Sequence, residues 1–220
     1  MTRRRLAAVR RLTCVVALCG LVAASAGCGS AHRAATTTTT LQTDDGLRGL
    51  VPQPLPFKPR FTLDDTSGRP YNFTAETRGK LTYLYFGYTH CPDACPATMS
   101  DLTYALRLQP RSSRRRIAVV FVTVDPRRDT GRVLRAWLDH YNTSFVGLRG
   151  TIAQIGVVEH DAGVPTAIKI STKKGASYQV EHSSLLFVYS PDDRAHVVYA
   201  LGFKPADYAH DIPILLGFNR

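Results

Sequence analysis

The chain has 220 residues, 44% of them hydrophobic and 20% charged, with 28 Lys and Arg against 17 Asp and Glu for a formal net charge of +11. That composition suits one soluble globular domain plus targeting sequence. It does not point to nucleic acid: Arg3, Arg4, Arg5, Arg10 and Arg11 precede every acidic residue, and without those five the excess falls from +11 to +6 and is scattered.

Residues 1–27 read as an export signal. A basic stretch, "MTRRRLAAVRR", is followed by the apolar "LTCVVALCGLVAASAG" and then by Cys28. The apolar run falls short of the ~20 residues of a comfortable membrane span, and small residues crowd its end, as cleavage requires. The pattern resembles a bacterial lipoprotein signal, in which a small pair precedes a lipid-modified cysteine, here Cys28; Ser25 stands where Leu is usual. Soluble secretion and an uncleaved anchor are the other two outcomes the pattern leaves open.

Residues 28–50 are polar and Thr-repetitive, without apolar periodicity, and are expected to form a flexible tether. Its reach scales as roughly 5–6 Å times the square root of residue number. A folded domain is expected over 51–220, approached through the Pro-rich "VPQPLPFKP".

Within that domain "RFTLDD" and "RPYNFTA", separated by "TSG", predict a β-hairpin, and "KLTYLYFGY" a buried strand. Next comes a helix over "PATMSDLTYALRLQ", with Met99, Leu102 and Leu106 at helical intervals and Pro96 at its first position. "RIAVVFVTVD" predicts a second core strand, and "DTGRVLRAWLDHY" a helix with Val133, Leu134, Trp137 and Leu138 on one face. A third helix covers "TIAQIGVVEHDAG". "SSLLFVYSPDDRAHVVYALGF" reads as two strands around a turn, and "PADYAHDIPILLGF" as a closing helix interrupted near Pro213. This is the element order of an α/β, thioredoxin-like fold: a central mixed sheet flanked by helices, with an N-terminal hairpin.

Cysteine usage carries the chemistry. Cys14 and Cys19 lie in the signal and Cys28 at its end, so the domain keeps only Cys91 and Cys95, in "HCPDACP". One close pair is not a disulfide scaffold, because so short a loop restrains little chain entropy. The pair falls between the first core strand and the following helix, where unpaired N–H groups and the positive dipole end stabilise thiolates. A four-residue offset near a helix keeps both side chains on one face, roughly 5–6 Å apart at Cβ, wide enough for a metal. A disulfide wants ~3.8 Å and needs modest adjustment, so redox and metal chemistry both stand.

Two soft thiolates suit Cu(I), Zn or Fe–S chemistry but do not complete a site. Among His32, His90, His140, His160, His182, His196 and His210, His182 stands apart, because it immediately precedes a core strand in "YQVEHSSLLFVYS". In a thioredoxin-like fold that loop lies beside the cysteine loop. His90 is the runner-up, as an electrostatic neighbour. Asp125 is expected to end a strand, Asp129 to cap the next helix, Asp93 to serve a turn, Trp137 to lie in the core, and Arg114 to Arg116 to form a solvated turn.

The stretches "YFGYTHCPDACPATMSDL", "VTVDPRRDT", "FVGLRGT" and "YQVEHSSLLFVYSPDDR" together resemble the Sco/SenC family of copper-binding cytochrome c oxidase assembly proteins, in order from about Phe61 to Leu216. The resemblance implies a membrane-tethered thioredoxin-like domain at the extracytoplasmic face of the cell membrane. It implies one copper ion, Cu(I) or Cu(II), held by Cys91, Cys95 and His182. It further implies an upstream extracytoplasmic copper donor, and delivery of copper to the binuclear site of cytochrome c oxidase subunit II. The alternative is a thiol-disulfide reductase acting through Cys91 and Cys95 to keep that site's cysteines reduced. Glu181 stands where Asp commonly precedes the histidine, and the loop "STKKGAS" is basic where some members are acidic.

Overall fold

A computed structural model describes residues 46–172 and 177–218; the expected signal, Cys28, most of the expected tether and part of the basic loop lie outside them. The described chain meets its core at Leu47, ahead of position 51. Leu47 is buried, and the N–H groups of Arg48 and Gly49 donate to the Asp211 carboxylate at 2.9–3.0 Å. Leu50 then bridges Val198, and Phe57 bridges Arg194. The Pro-rich segment therefore packs along a sheet edge. Lys58 anchors its end, with Nζ buried 2.9 Å from the Asp193 carboxylate.

The hairpin forms as expected. β1 (Thr62–Asp65) pairs antiparallel with β2 (Pro70–Asn72), and the Asp65 carboxylate accepts from the N–H groups of Ser67 and Arg69 across the turn. The expected second strand is cut short: Asn72 accepts from the Ala75 N–H and caps a single-turn helix, α1 (Phe73–Glu76). β3 (Leu81–Gly87) is buried at every position, and β4 (Ile117–Thr123) runs parallel to it, Leu81 opposite Ile117 through Gly87 opposite Thr123. Between them lie α2 (Ala94–Arg107) and the short α3 (Arg111–Arg114). α4 (Gly131–Asp139) connects β4 to the parallel strand β5 (Val146–Arg149), a four-residue strand for which "FVGLRG" gave no periodic signal. Right-handed crossovers place α2 and α4 on one sheet face.

α5 (Ile152–Asp161) begins in a reciprocal capping box between Thr151 and Gln154. It leads into a hairpin with no counterpart among the expected elements: β6 (Ile168–Thr172) and β7 (Ser177–Glu181) form their own two-stranded sheet. Its outward residues Ile168 and Ile170 are exposed, so the usual apolar-inward alternation is inverted there. β8 (Leu186–Tyr189) and β9 (Ala195–Tyr199) complete a seven-stranded mixed sheet of order β2-β1-β5-β4-β3-β8-β9. The closing helix α6 (Pro205–Leu215) runs through Pro213 without interruption. Proline cannot donate to the Ala209 carbonyl one turn earlier, and the Gln109 side chain does so instead at 3.0 Å. The result is the expected α/β, thioredoxin-like architecture.

Candidate metal centre

The site is built at the carboxyl end of β3. α2 starts two residues before the expected position: Asp93 is its N-cap, accepting from the Ala94 N–H, and Cys95 lies in its first turn. Pro96 sits third in the helix, where no intrahelical donor is needed. Cys95 heads the buried stripe that continues through Met99, Leu102 and Leu106, which is why its sulfur points inward. Cys91 is outside the helix, on a turn closed by its own N–H donating to the Tyr88 carbonyl. The two cysteines converge because that turn folds back over the helix end, not through stacking on one helical face. The Cys91 sulfur accepts from the Cys95 N–H at 3.4 Å.

Room for the second sulfur comes from a glycine. A Cβ on Gly87 would lie 2.8 Å from Cys95 Sγ, 2.8 Å from Phe121 Cζ and 2.9 Å from Tyr85 Cε1. A glycine closing an otherwise bulky, fully buried strand four residues ahead of Cys91 is the signal that finds this residue.

His182 follows β7 directly. Its Nδ1 is 2.8 Å from the Ser183 carbonyl, which only accepts, so in the neutral ring Nδ1 carries the proton and the Nε2 lone pair faces the sulfurs. Nε2 is 3.6 Å from Cys95 Sγ. The two sulfurs and the imidazole nitrogen all lie within 4.8 Å of one another, close enough for one ion to reach all three. The rings of Tyr88 and Tyr85 meet the imidazole edge-on, with centroids 5.5 and 6.3 Å away. Among the described residues no other His, Cys, Asp or Glu group reaches this arrangement. His90 points away toward Thr89 and is exposed; His140, His160, His196 and His210 contact Ala136, Asp161, Asp192 and Asp211 respectively.

The sulfurs are electrostatically unequal. Cys91 keeps 9% of its surface exposed, and Cys95 keeps none. Hydrogen bonding to the Cys95 side chain, the imidazole of His182 and the helix-end N–H groups pulls the Cys91 thiol down to about 4, against its partial burial. Burial, then the neighbouring Cys91, pushes the Cys95 thiol up. Burial alone would lower His182, but the Cys91 sulfur and the Ser183 carbonyl outweigh it and raise it. Cys91 is thus the more acidic of the two, and neither cysteine is in a disulfide.

The loop after β4 supports both halves of the site. Asp129, fully buried, accepts from the Thr89 N–H at 3.0 Å and from the hydroxyls of Thr89 and Thr123 at 2.6 and 2.5 Å. It thereby holds the cysteine loop, and the expected helix cap is its neighbour Thr130. Asp125 accepts from the Tyr178 hydroxyl at 2.9 Å and pairs with Arg128, which ties β7 to the same loop. Trp137, expected in the core, is partly buried and packs against it, with its ring centroid 5.1 Å from that of Phe121.

The comparisons agree with this chemistry. The chain is 36% identical over 143 residues to the mitochondrial protein SCO2 of Saccharomyces cerevisiae, covering 64% of this chain but only 46% of the yeast protein. The solved structure of Bradyrhizobium japonicum ScoI with copper bound is 30% identical and superposes with a TM-score of 0.65, over 73% of this chain and 99% of that one. BsSco, described as a member of the Sco family of cytochrome c oxidase assembly proteins, shares the fold at 18% identity and a TM-score of 0.58, over 75% of this chain and 96% of that one. The family model described as SCO1/SenC matches residues 51–216, and the protein belongs to that family.

Proposed function

We propose that the protein is a copper chaperone for cytochrome c oxidase assembly, carrying one copper on Cys91, Cys95 and His182. The convergence of two sulfurs and a correctly protonated imidazole carries this reading. Thiolates favour Cu(I), and the nitrogen gives Cu(II) an acceptable donor. The copper-bound ScoI relative supports the choice of metal. Loading displaces the proton held on Cys95, so affinity rises with pH. His182 enters from a strand remote in sequence, so its withdrawal leaves a two-sulfur site from which copper can pass to an acceptor. The acceptor in this reading is the binuclear site of subunit II, the source is an upstream extracytoplasmic donor, and the domain is held at the membrane through lipidated Cys28. Among the described residues no helix is long and apolar enough to cross a membrane.

The test is an anaerobic Cu(I) competition titration of the reduced protein. One tightly held copper per chain, abolished by Cys91→Ser or Cys95→Ser and weakened by His182→Ala, is the expected result. Binding that ignores His182 would refute it.

A second activity has its own observation, the depressed Cys91 thiol with 9% exposure. In a thiol-disulfide reductase that thiolate attacks an acceptor disulfide, forming a mixed disulfide and releasing one acceptor thiolate; Cys95, giving up its proton, then attacks the Cys91 sulfur, forming the Cys91–Cys95 disulfide and releasing the second acceptor thiol. Reduction of a model disulfide that survives in His182→Ala separates this activity from copper transfer.

A further inference from the structure

His182 hangs from β7, and the β6–β7 hairpin shares no hydrogen-bond ladder with the seven-stranded sheet. The hairpin is held to the rest of the domain by side chains: Val180 packs in the core and its N–H donates to the Tyr88 hydroxyl at 3.3 Å, the Glu159 carboxylate accepts from the Ala167 N–H, and the contacts nearest His182 on β7 are those of Tyr178. Tyr178, four residues ahead of His182, donates its hydroxyl to Asp125 at 2.9 Å. Arg128 pairs with the same carboxylate, donates from Nη1 to the Tyr178 carbonyl at 3.1 Å, and lays its guanidinium 3.7 Å from the Tyr178 ring centroid. The other end of this unit reaches the site, since Arg128 also lies 5.6 Å from the ring of Tyr88, which stands edge-on to His182. Asp125 is buried, so its charge is held by these two partners rather than by water. Asp129, four residues along the same loop, holds the cysteine turn through Thr89.

We propose that Asp125, Arg128 and Tyr178 form a latch that positions His182, so that one loop sets the distance between the imidazole and the sulfurs. The proposal rests on the three-ligand reading of the copper site. With the latch closed, Nε2 stands over both sulfurs. With it open, the hairpin keeps its Val180 and Ala167 contacts but β7 is no longer fixed at Tyr178, and the imidazole shifts off the sulfurs. Planarity matters here: a guanidinium can bond the carboxylate edge-on and stack on the phenol ring at once, which an ammonium cannot.

Tyr178→Phe, which keeps the ring and removes only the hydroxyl, and Arg128→Lys, which keeps the charge and removes the fork, test the latch in the full-length reduced protein. The readouts are Cu(I) competition and the nitrogen hyperfine pattern of the Cu(II) form. Each variant is expected to bind copper on the order of tenfold more weakly, moving toward the His182→Ala value, with diminished nitrogen hyperfine. In a His182→Ala background neither change should weaken binding further. A full additional loss in that background would make the residues generally structural and overturn the latch. Wild-type affinity in both variants, beside a weakened His182→Ala, would overturn the latch alone. A silent His182→Ala would overturn the three-ligand reading and the latch with it.

Discussion

Gly87→Ala isolates the demand the site makes on backbone space. The new Cβ would sit 2.8 Å from Cys95 Sγ, while ordinary contact begins at 3.4 Å, so the sulfur or the strand must yield by about 0.6 Å. Phe121 and Tyr85 crowd the same point and are fully buried, so no flexible neighbour absorbs the strain. Overpacking of this kind costs about 1–3 kcal/mol. For a domain of this size that corresponds to a fall of roughly 2–12 °C in Tm. Copper should suffer more, because ligand distances tolerate only about ±0.2 Å. The expected loss of Cu(I) affinity is on the order of ten- to a hundred-fold, the range found when a ligand's supporting group is removed. Thermal melting of the reduced apo-protein and anaerobic chelator competition measure the two effects separately. A Gly87→Ala protein that keeps wild-type copper affinity would refute the argument, whatever its Tm.

Asp211→Ala removes the acceptor for the N–H groups of Arg48 and Gly49 and for the Tyr199 hydroxyl; it should cost about 2–4 kcal/mol in urea unfolding and speed hydrogen exchange at those two amides. Alkylation of reduced Cys91 should hold its rate from neutral pH down to about 4 and fall below it as the thiolate protonates, with the midpoint higher in His182→Ala. Because the folded pKa of Cys91 lies below the ordinary 9.0, unfolding takes up a proton between about 4 and 9. This residue's contribution to stability therefore grows with pH across that window, and Cys91→Ser should flatten that part of the profile. Copper at about a thousand times its Kd should stabilise the fold by about 4 kcal/mol, seen as a rise in Tm that Cys91→Ser abolishes.

The cysteines and His182 were legible because each adjoins an apolar strand whose end fixes its place. The β6–β7 hairpin carries the period-two signal, Ile168-Lys169-Ile170 and Tyr178-Gln179-Val180, but the pattern misleads about its faces, since Ile168 and Ile170 point outward while Val180 is buried. Asp129 was read as a cap from its place before Thr130, a local inference that misses a partner forty residues away at Thr89. Pro213 predicts a break because the compensating donor, Gln109, lies far away in sequence, just past the end of α2. In these last two cases a long-range side-chain contact replaced what the local pattern would have required, and no window of sequence contains both partners.

The route by which the chain enters the fold places its entry segment relative to the sulfurs. Leu50 runs antiparallel to β9 opposite Val198, in the row that crosses Phe187 on β8 and Leu84 on β3, and Leu47 lies farther toward the end of β3 where Gly87 and the cysteines sit. Three strand spacings, about 14 Å, separate that entry segment from β3 sideways. In the tethered reading proposed above, the tether thus joins the domain at its reactive end, and the sulfurs stay within the tether's own reach plus about 14 Å of the anchor.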